Sequence, residues 1–194
     1  MKQRLLLVLP VVGLVLFATS AAAATVSPGQ SHAGTRSGGP DCVATAMPAG
    51  DNSPPHMTCY NTFALAIAAA TGGRVHLPAS ATPRTVSIRQ LNAGAGPDNT
   101  FVLSIDYKNA NFVPPTLTWT QSSPCGSFQI ASMPSGWNDV VSSVATYSGC
   151  ANTQYKNDNF GGTTFSVGRN SQAASMGSFN DSTSSEKWCT AKPC

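Results

Sequence analysis

Two stretches of this chain place an aromatic residue, Asn-Asp, two unconstrained positions and Ser-Ser in a row. They are Trp137-Asn138-Asp139-Val140-Val141-Ser142-Ser143 and Phe179-Asn180-Asp181-Ser182-Thr183-Ser184-Ser185. In each loop the aspartate, Asp139 or Asp181, brings charge, and the serine, Ser142 or Ser184, brings a hydroxyl. The backbone carbonyls of Val140 and Ser182 can point the same way. Backbone-only use of the middle positions explains why Val-Val in one copy is Ser-Thr in the other. Such a donor set suits a hard cation, since calcium takes about six to eight oxygens from carboxylates, hydroxyls, carbonyls and water. One copy alone reads as a turn, because Asn, Asp and Ser bond their own backbone. Two copies in matching surroundings read as ligands. Trp137 and Phe179, ahead of each motif, read as core plugs.

The surroundings do match. Tyr107-Lys-Asn-Ala-Asn-Phe112 precedes the first loop, and Tyr155-Lys-Asn-Asp-Asn-Phe160-Gly-Gly162 precedes the second. In both units an aromatic hairpin is followed by further strand, then Ser-Met, then the Asn-Asp loop, so the second half reads as an internal duplication. FVLSIDY, TLTWT, VVSSVATY and TTFSVG are short, β-branched and aromatic, with Gly, Pro and Asn between them. That is the texture of an antiparallel all-β domain, with eight strands, four per unit, between residues 101 and 189. Upstream, Asn61 or Thr62 can cap a helix over 62–71 that Gly72-Gly73 ends. Phe63, Ala66, Ile67 and Ala70 give it one apolar face, which would lie against the domain.

With these residues in view, the chain resembles the βγ-crystallin superfamily over about residues 101–189. Tyr155-x-x-x-x-Phe160-x-Gly162 is similar to that family's folded hairpin, and the Asn-Asp-x-x-Ser-Ser stretches are similar to its calcium motif. The secreted bacterial branch that includes crystallin-like metalloproteinase inhibitors is nearest in character. The resemblance implies an all-β fold, two Greek-key units packed as a β-sandwich, with two calcium sites. It also implies an exchange. Asp139 would face the hairpin Tyr155–Phe160 and Asp181 the hairpin Tyr107–Phe112, with a backbone carbonyl near Lys108 or Lys156 closing each site. One feature departs from the pattern: Pro114 stands where the second unit has Gly162, and proline cannot take a positive φ. The first hairpin is therefore expected to close differently. With about one carboxylate per site, weak to moderate calcium affinity is expected, around 10⁻⁵ to 10⁻³ M.

The rest of the chain frames this domain. Residues 1–24 read as a signal peptide: Lys2 and Arg4, an apolar run from Leu5 to Phe17, then Ala22-Ala23-Ala24. Residues 25–58, rich in Gly, Ser, Pro, Ala and Thr, read as a disordered or loosely looped arm that buries too little to order itself. Residues 59–100 read as the short helix and a linker, and 101–194 as the βγ-crystallin-like domain. The chain has 11 basic and 8 acidic residues. Without Lys2 and Arg4 the balance is near zero, and no Lys/Arg cluster exists to hold nucleic acid. The mature chain is expected to be secreted, monomeric and free of the membrane.

Cys42, Cys59, Cys125, Cys150, Cys189 and Cys194 make an even count, which in an exported chain favours disulfides. A local Cys42–Cys59 bridge is favoured, with the other four tying down the second half. The sequence does not select among the pairings.

Catalytic signatures are absent from the sequence. His32, His56 and His76 lie outside the repeat, HExxH, GxSxG and a Walker loop do not occur, and the carboxylates are scattered. An enzyme is not expected. Two alternatives to a calcium-clamped structural protein stand beside it. One is a metalloproteinase inhibitor acting on an extracellular protease through the cysteine-braced stretch 116–128. The other is a small antimicrobial or killer-toxin-like protein.

Overall fold

The computed structural model of the chain describes residues 40–92 and 100–194. The expected leader over 1–24 and the start of the arm, 25–39, lie outside the described residues. In chain order the elements are β1 (Asp41–Thr45), β2 (Met47–Pro48), β3 (Met57–Tyr60), α1 (Phe63–Ala70), α2 (Ile88–Asn92), β4 (Phe101–Asn109), β5 (Val113–Gln121), β6 (Phe128–Ile130), β7 (Ser143–Thr146), β8 (Ala151–Asn157), β9 (Gly161–Val167), β10 (Gln172–Ala173) and β11 (Ser185–Cys189). The eight strands expected between 101 and 189 are β4 to β11.

Two sheets hold them, ordered β10-β7-β4-β5-β1-β3 and β2-β6-β11-β8-β9. The repeat in the sequence becomes a repeat in space. In the first sheet, β7, β4 and β5 are the fourth, first and second strands of unit one, and β10 is the third strand of unit two. In the second sheet, β11, β8 and β9 come from unit two, and β6 is the third strand of unit one. Each unit lends one strand to the other, so neither closes its core alone. This is the arrangement of two Greek-key units in a βγ-crystallin-type β-sandwich.

The core between the sheets is aromatic and aliphatic. Leu103, Leu117, Trp119, Phe128, Ile130, Trp137, Val141, Met176, Phe179 and Trp188 form one buried cluster, and the rings of Trp119 and Trp188 lie 5.3 Å apart. Trp137 and Phe179 are the core plugs their positions implied. A second cluster lies on the outer face of the first sheet, where Phe63, Ile67 and Ala70 of α1 pack on Val102, Ile105, Tyr107, Ala145 and Tyr147. Burial on both faces explains why Val102 to Tyr107 is a continuous buried run instead of an alternating one. Helix α1 occupies Phe63–Ala70, with the Thr62 hydroxyl capping the Leu65 N–H at 3.2 Å. It lies against the domain as expected. Helix α2 was not foreseen, its pattern being too short to stand out.

The arm requires a correction. β1, β2 and the start of β3 lie in it, so much of it from residue 41 is sheet, not loose chain. β1 pairs in parallel with β5, with Cys42 opposite Leu117, and antiparallel with β3, with Cys42 opposite Cys59. β2 adds to the far edge of the second sheet through β6. Composition misled because these strands are ordered by an edge already built. Main-chain bonds to β5, small buried residues such as Ala44 and Ala46, and two bonds from Thr116 to the Asp41 carboxylate (3.0 and 2.9 Å) supply what large side chains do not.

Three disulfides are formed: Cys42–Cys59, Cys125–Cys150 and Cys189–Cys194. The favoured local bridge is among them. Disulfides of this kind belong to oxidising compartments. Among the described residues, no helix is long and apolar enough to cross a membrane.

Candidate metal centre

The hairpins set the frame. In each, the pairing shifts register after the tyrosine, between Tyr107 and Asn109 and between Tyr155 and Asn157. Two residues in each turn take positive φ, Asn111 and Phe112 in one, Asn159 and Phe160 in the other. The Tyr and Phe rings then meet edge to face, at 5.4 Å in the first hairpin and 5.6 Å in the second. The first hairpin therefore closes as the second does, contrary to expectation. The difference lies two residues beyond the phenylalanine, at Pro114 and Gly162. Gly162 has φ +78, and a Cβ there would come within 3.0 Å of Asn157 Nδ2. In unit one the Asn109 side chain instead donates to the Pro114 carbonyl at 2.8 Å.

The Asn-Asp loops are fastened to these hairpins and to each other. The second serine of each Ser-Ser pair is a clip. Ser143 Oγ donates to the Asn109 carbonyl and accepts from the Phe112 N–H, and Ser185 does the same with Asn157 and Phe160. The loops then cross. The Asp139 N–H donates to the Thr183 carbonyl, and the Asp181 N–H to the Val141 carbonyl, both at 3.0 Å. Asp139 and Asp181 have φ of 53 and 52, a conformation aspartate tolerates better than most residues.

This crossing decides which oxygens meet. Ser142 Oγ donates to Asp181 Oδ1 at 2.9 Å and lies 2.8 Å from the Lys108 carbonyl. Ser184 Oγ donates to Asp139 Oδ1 at 3.3 Å, while its N–H donates to the Tyr155 carbonyl, next to Lys156. Each aspartate thus meets the serine of the opposite loop. The pairing of Asp139 with Ser142 inside one loop does not occur, because a positive φ at the aspartate turns its carboxylate towards the other unit. Asp139 lies beside the hairpin Tyr155–Phe160, and Asp181 beside Tyr107–Phe112. The carbonyls used in the crossing are those of Val141 and Thr183, one residue beyond Val140 and Ser182.

Both aspartates are exposed, whereas Ser142 and Ser184 are buried. A shallow depression is lined by Asp139, Lys156, Asn157, Asp158, Asp181, Ser182 and Ser184. Three of the chain's 8 acidic residues stand there. The Lys108 ammonium is turned away, donating to the Gly136 carbonyl over the Trp137 ring.

Sequence reasoning gave no role to Asn138, Asn180 or Asp158. Each asparagine donates to Oδ2 of the aspartate after it, at 2.8 and 2.7 Å, leaving Oδ1 directed to the serine. Their place in the repeated motif was the available signal. Asp158 has Ala110 as its counterpart, so the repeat hides it.

The donor set is carboxylate, hydroxyl and carbonyl oxygen. Among the described residues, no three His, Cys, Asp or Glu side chains gather as metal ligands. The oxygen donors fit a hard cation that keeps part of its water, and they do not suit zinc.

Two other carboxyls, called scattered from sequence, are brought together inside the sandwich. Asp106 of β4 and Glu186 of β11 are both fully buried. Trp119 Nε1 and Gln154 Nε2 donate to Asp106 at 2.7 and 3.2 Å, and Asn152 Nδ2 donates to Glu186 at 2.8 Å. Loss of water raises both pKa values, Asp106 to about 6 and Glu186 well above its ordinary value, and proximity to Asp106 adds to the latter. With no accessible surface, the pair touches no substrate. It joins the two sheets.

No family model matches the chain, and no curated protein matches it. Solved structures of βγ-crystallin domains are similar to it. One, from work on the evolution of the eye-lens βγ-crystallin fold, is 26% identical with a TM-score of 0.38, covering 46% of this chain and 87% of that one. A domain from Clostridium beijerinckii is 22% identical with a TM-score of 0.35, covering 46% and 99%. A domain from Flavobacterium johnsoniae is 22% identical with a TM-score of 0.33, covering 47% and 98%.

Proposed function

We propose that this is an exported calcium-binding protein in which the ion clamps the two Greek-key units together. One observation carries the reading. Asp139 with Ser184, and Asp181 with Ser142, form the same oxygen pair twice, each across the unit boundary and each beside a hairpin carbonyl. A cation at either place would replace a serine–aspartate hydrogen bond with ligation by both oxygens. It would draw on the Lys108 carbonyl at one site and the hairpin backbone around Lys156 at the other. One carboxylate per site, with water filling the remaining positions, sets affinity at about 10⁻⁵ to 10⁻³ M, suited to calcium-rich extracellular fluid. The three disulfides support export. The role is structural, not catalytic.

A melting curve with excess calcium and with chelator tests this. Calcium should raise the midpoint, and Asp139→Ala and Asp181→Ala should each remove part of the rise. Identical curves in calcium and chelator would leave the two motifs as turns only.

A second reading, inhibition of an extracellular metalloprotease, has one supporting feature. Ser122, Ser123 and Pro124 are exposed, and the adjacent Cys125–Cys150 bridge anchors them to the body. A rigid projecting loop is what a protease cleft accepts. Undiminished activity of a thermolysin-like protease at stoichiometric protein would exclude it.

A further inference from the structure

The two hairpins share their own geometry and differ in what lies over them. Tyr107 and Phe112 sit in the second core with α1 and Tyr147, and Arg84 Nε donates to the Asn111 carbonyl at 3.0 Å. The second hairpin has no helical cover among the described residues. Lys187 Nζ lies 4.2 Å from the Phe160 ring and 5.8 Å from the Tyr155 ring. Beyond the bonds from Ser184, Ser185 and Ala131 to its backbone, its fastening comes from the residues after β11. Tyr155 Oη donates to the Cys194 carbonyl at 2.9 Å, and the Cys194 N–H donates to Thr153 Oγ1 at 3.0 Å. Thr153 in turn bonds Ser166 of β9 at 2.9 Å. Cys194 is tied to Cys189, 5 residues back, by a disulfide.

This bridge differs from the other two in access. Cys59 is exposed, but Cys42 and Cys150 are 2% and 0% exposed, so each of the other disulfides has one deeply buried partner. Cys189 and Cys194 are both half-exposed, and Thr190 to Pro193 between them are exposed. A disulfide with neither end deeply buried is of the labile kind. A bridge closing so short a loop also constrains the unfolded chain least, so the fold survives its loss.

We propose that residues 189–194 form a thiol-sensitive strap over the second hairpin, and that opening it selectively weakens the cation site made by Asp139, Ser184 and that hairpin. The regulatory half rests on the calcium reading above. A dithiol supplies two electrons and two protons. One thiolate attacks a sulfur of the bridge to give a mixed disulfide, and the second displaces it, leaving Cys189 and Cys194 as thiols and the reductant as a cyclic disulfide. Tyr155 then loses its anchor at Cys194. Because the Tyr155 carbonyl holds the Ser184 N–H, the loosening passes directly to a ligand of that site. The other site, on the first hairpin, keeps its cover.

The test uses the full chain as wild type, as the double variant Cys189→Ser/Cys194→Ser, and as Tyr155→Phe, which keeps the ring and removes the hydroxyl. Amide exchange is compared for residues 155–162 and 107–114 without metal, and calcium chloride is titrated calorimetrically. Both variants should exchange faster over 155–162 and unchanged over 107–114, and one site should weaken by about tenfold, a modest coupling between a strap and a site. Wild type treated with dithiothreitol until only one bridge is open, as read by mass, should behave like the double variant. Unchanged exchange over 155–162 would overturn the strap, and equal weakening of both sites would overturn its selectivity. A wild type that takes up no calcium would overturn the proposed function and the regulatory half together. The exchange comparison would still decide the strap alone.

Discussion

Ser142 donates a hydrogen bond to Asp181 across 2.9 Å, although the two stand 39 residues apart and belong to opposite units of the repeat. Ser184 and Asp139 make the reciprocal contact, 45 residues apart. The unit of chemistry is therefore not the seven-residue motif. It is one half of each motif, joined to the other across the boundary between the units.

That relationship predicts which substitutions interact. Each occupied site at a hundredfold calcium excess should add about 2.7 kcal/mol to stability. Ser142→Ala and Asp181→Ala should remove the same increment, so the double variant should lose little more than either single one. Ser142→Ala with Asp139→Ala should be additive, because they touch different sites. Unfolding free energies in calcium and in chelator measure this, and additivity within the Ser142/Asp181 pair would count against a shared site.

The buried carboxyls predict an unusual pH dependence. Asp106 and Glu186 both have folded pKa values raised above the unfolded ones, by loss of water first. Groups raised in this way contribute stability that is complete below their unfolded pKa and lost as pH rises through the folded value. Urea midpoints in chelator should thus fall from about pH 4 to about pH 7. Glu186→Gln, neutral at every pH, should flatten the decline. A midpoint that climbs steadily with pH over this range would refute the assignment.

Gly162 predicts a hairpin asymmetry. Its φ of +78 strains any side chain, and a Cβ there would crowd Asn157 Nδ2 at 3.0 Å. Gly162→Ala should cost about 1–2 kcal/mol. Pro114→Ala, at the matching place on the first hairpin, should cost about 1 kcal/mol or less. Denaturant titration of the two variants gives the comparison.

The helical layer predicts a stability that a free arm would not give. Ile67 is fully buried between α1 and the first sheet. Ile67→Ala should cost about 2–5 kcal/mol, the range for such truncations in packed cores. A change below about 0.5 kcal/mol, typical of surface sites, would mean the layer contributes nothing.

Much of this molecule was legible beforehand where one residue's chemistry acts locally. β-branched and aromatic runs marked β4, β5, β7 and β9, Thr62 and Gly72 bracketed a helix, and the Asn-Asp-x-x-Ser-Ser stretch stood out by being doubled. Local signals failed where order is borrowed. β1 and β3 carry few large apolar groups, and they are strands only because β5 offers an unpaired edge and Cys42–Cys59 fixes their register. Asp106 stands in an otherwise apolar strand, and nothing in its sequence neighbourhood names Glu186 as its partner.

By itself, then, the sequence determined the inventory: the repeat, the strands of its two units, and the aspartates and serines of the two loops. Tertiary structure alone decided their partnership. Exchange of third strands brings the two loops face to face, and a left-handed backbone at each aspartate turns its carboxylate towards the opposite serine. Contacts of that kind depend on the path of the whole chain, which no short window of residues encodes.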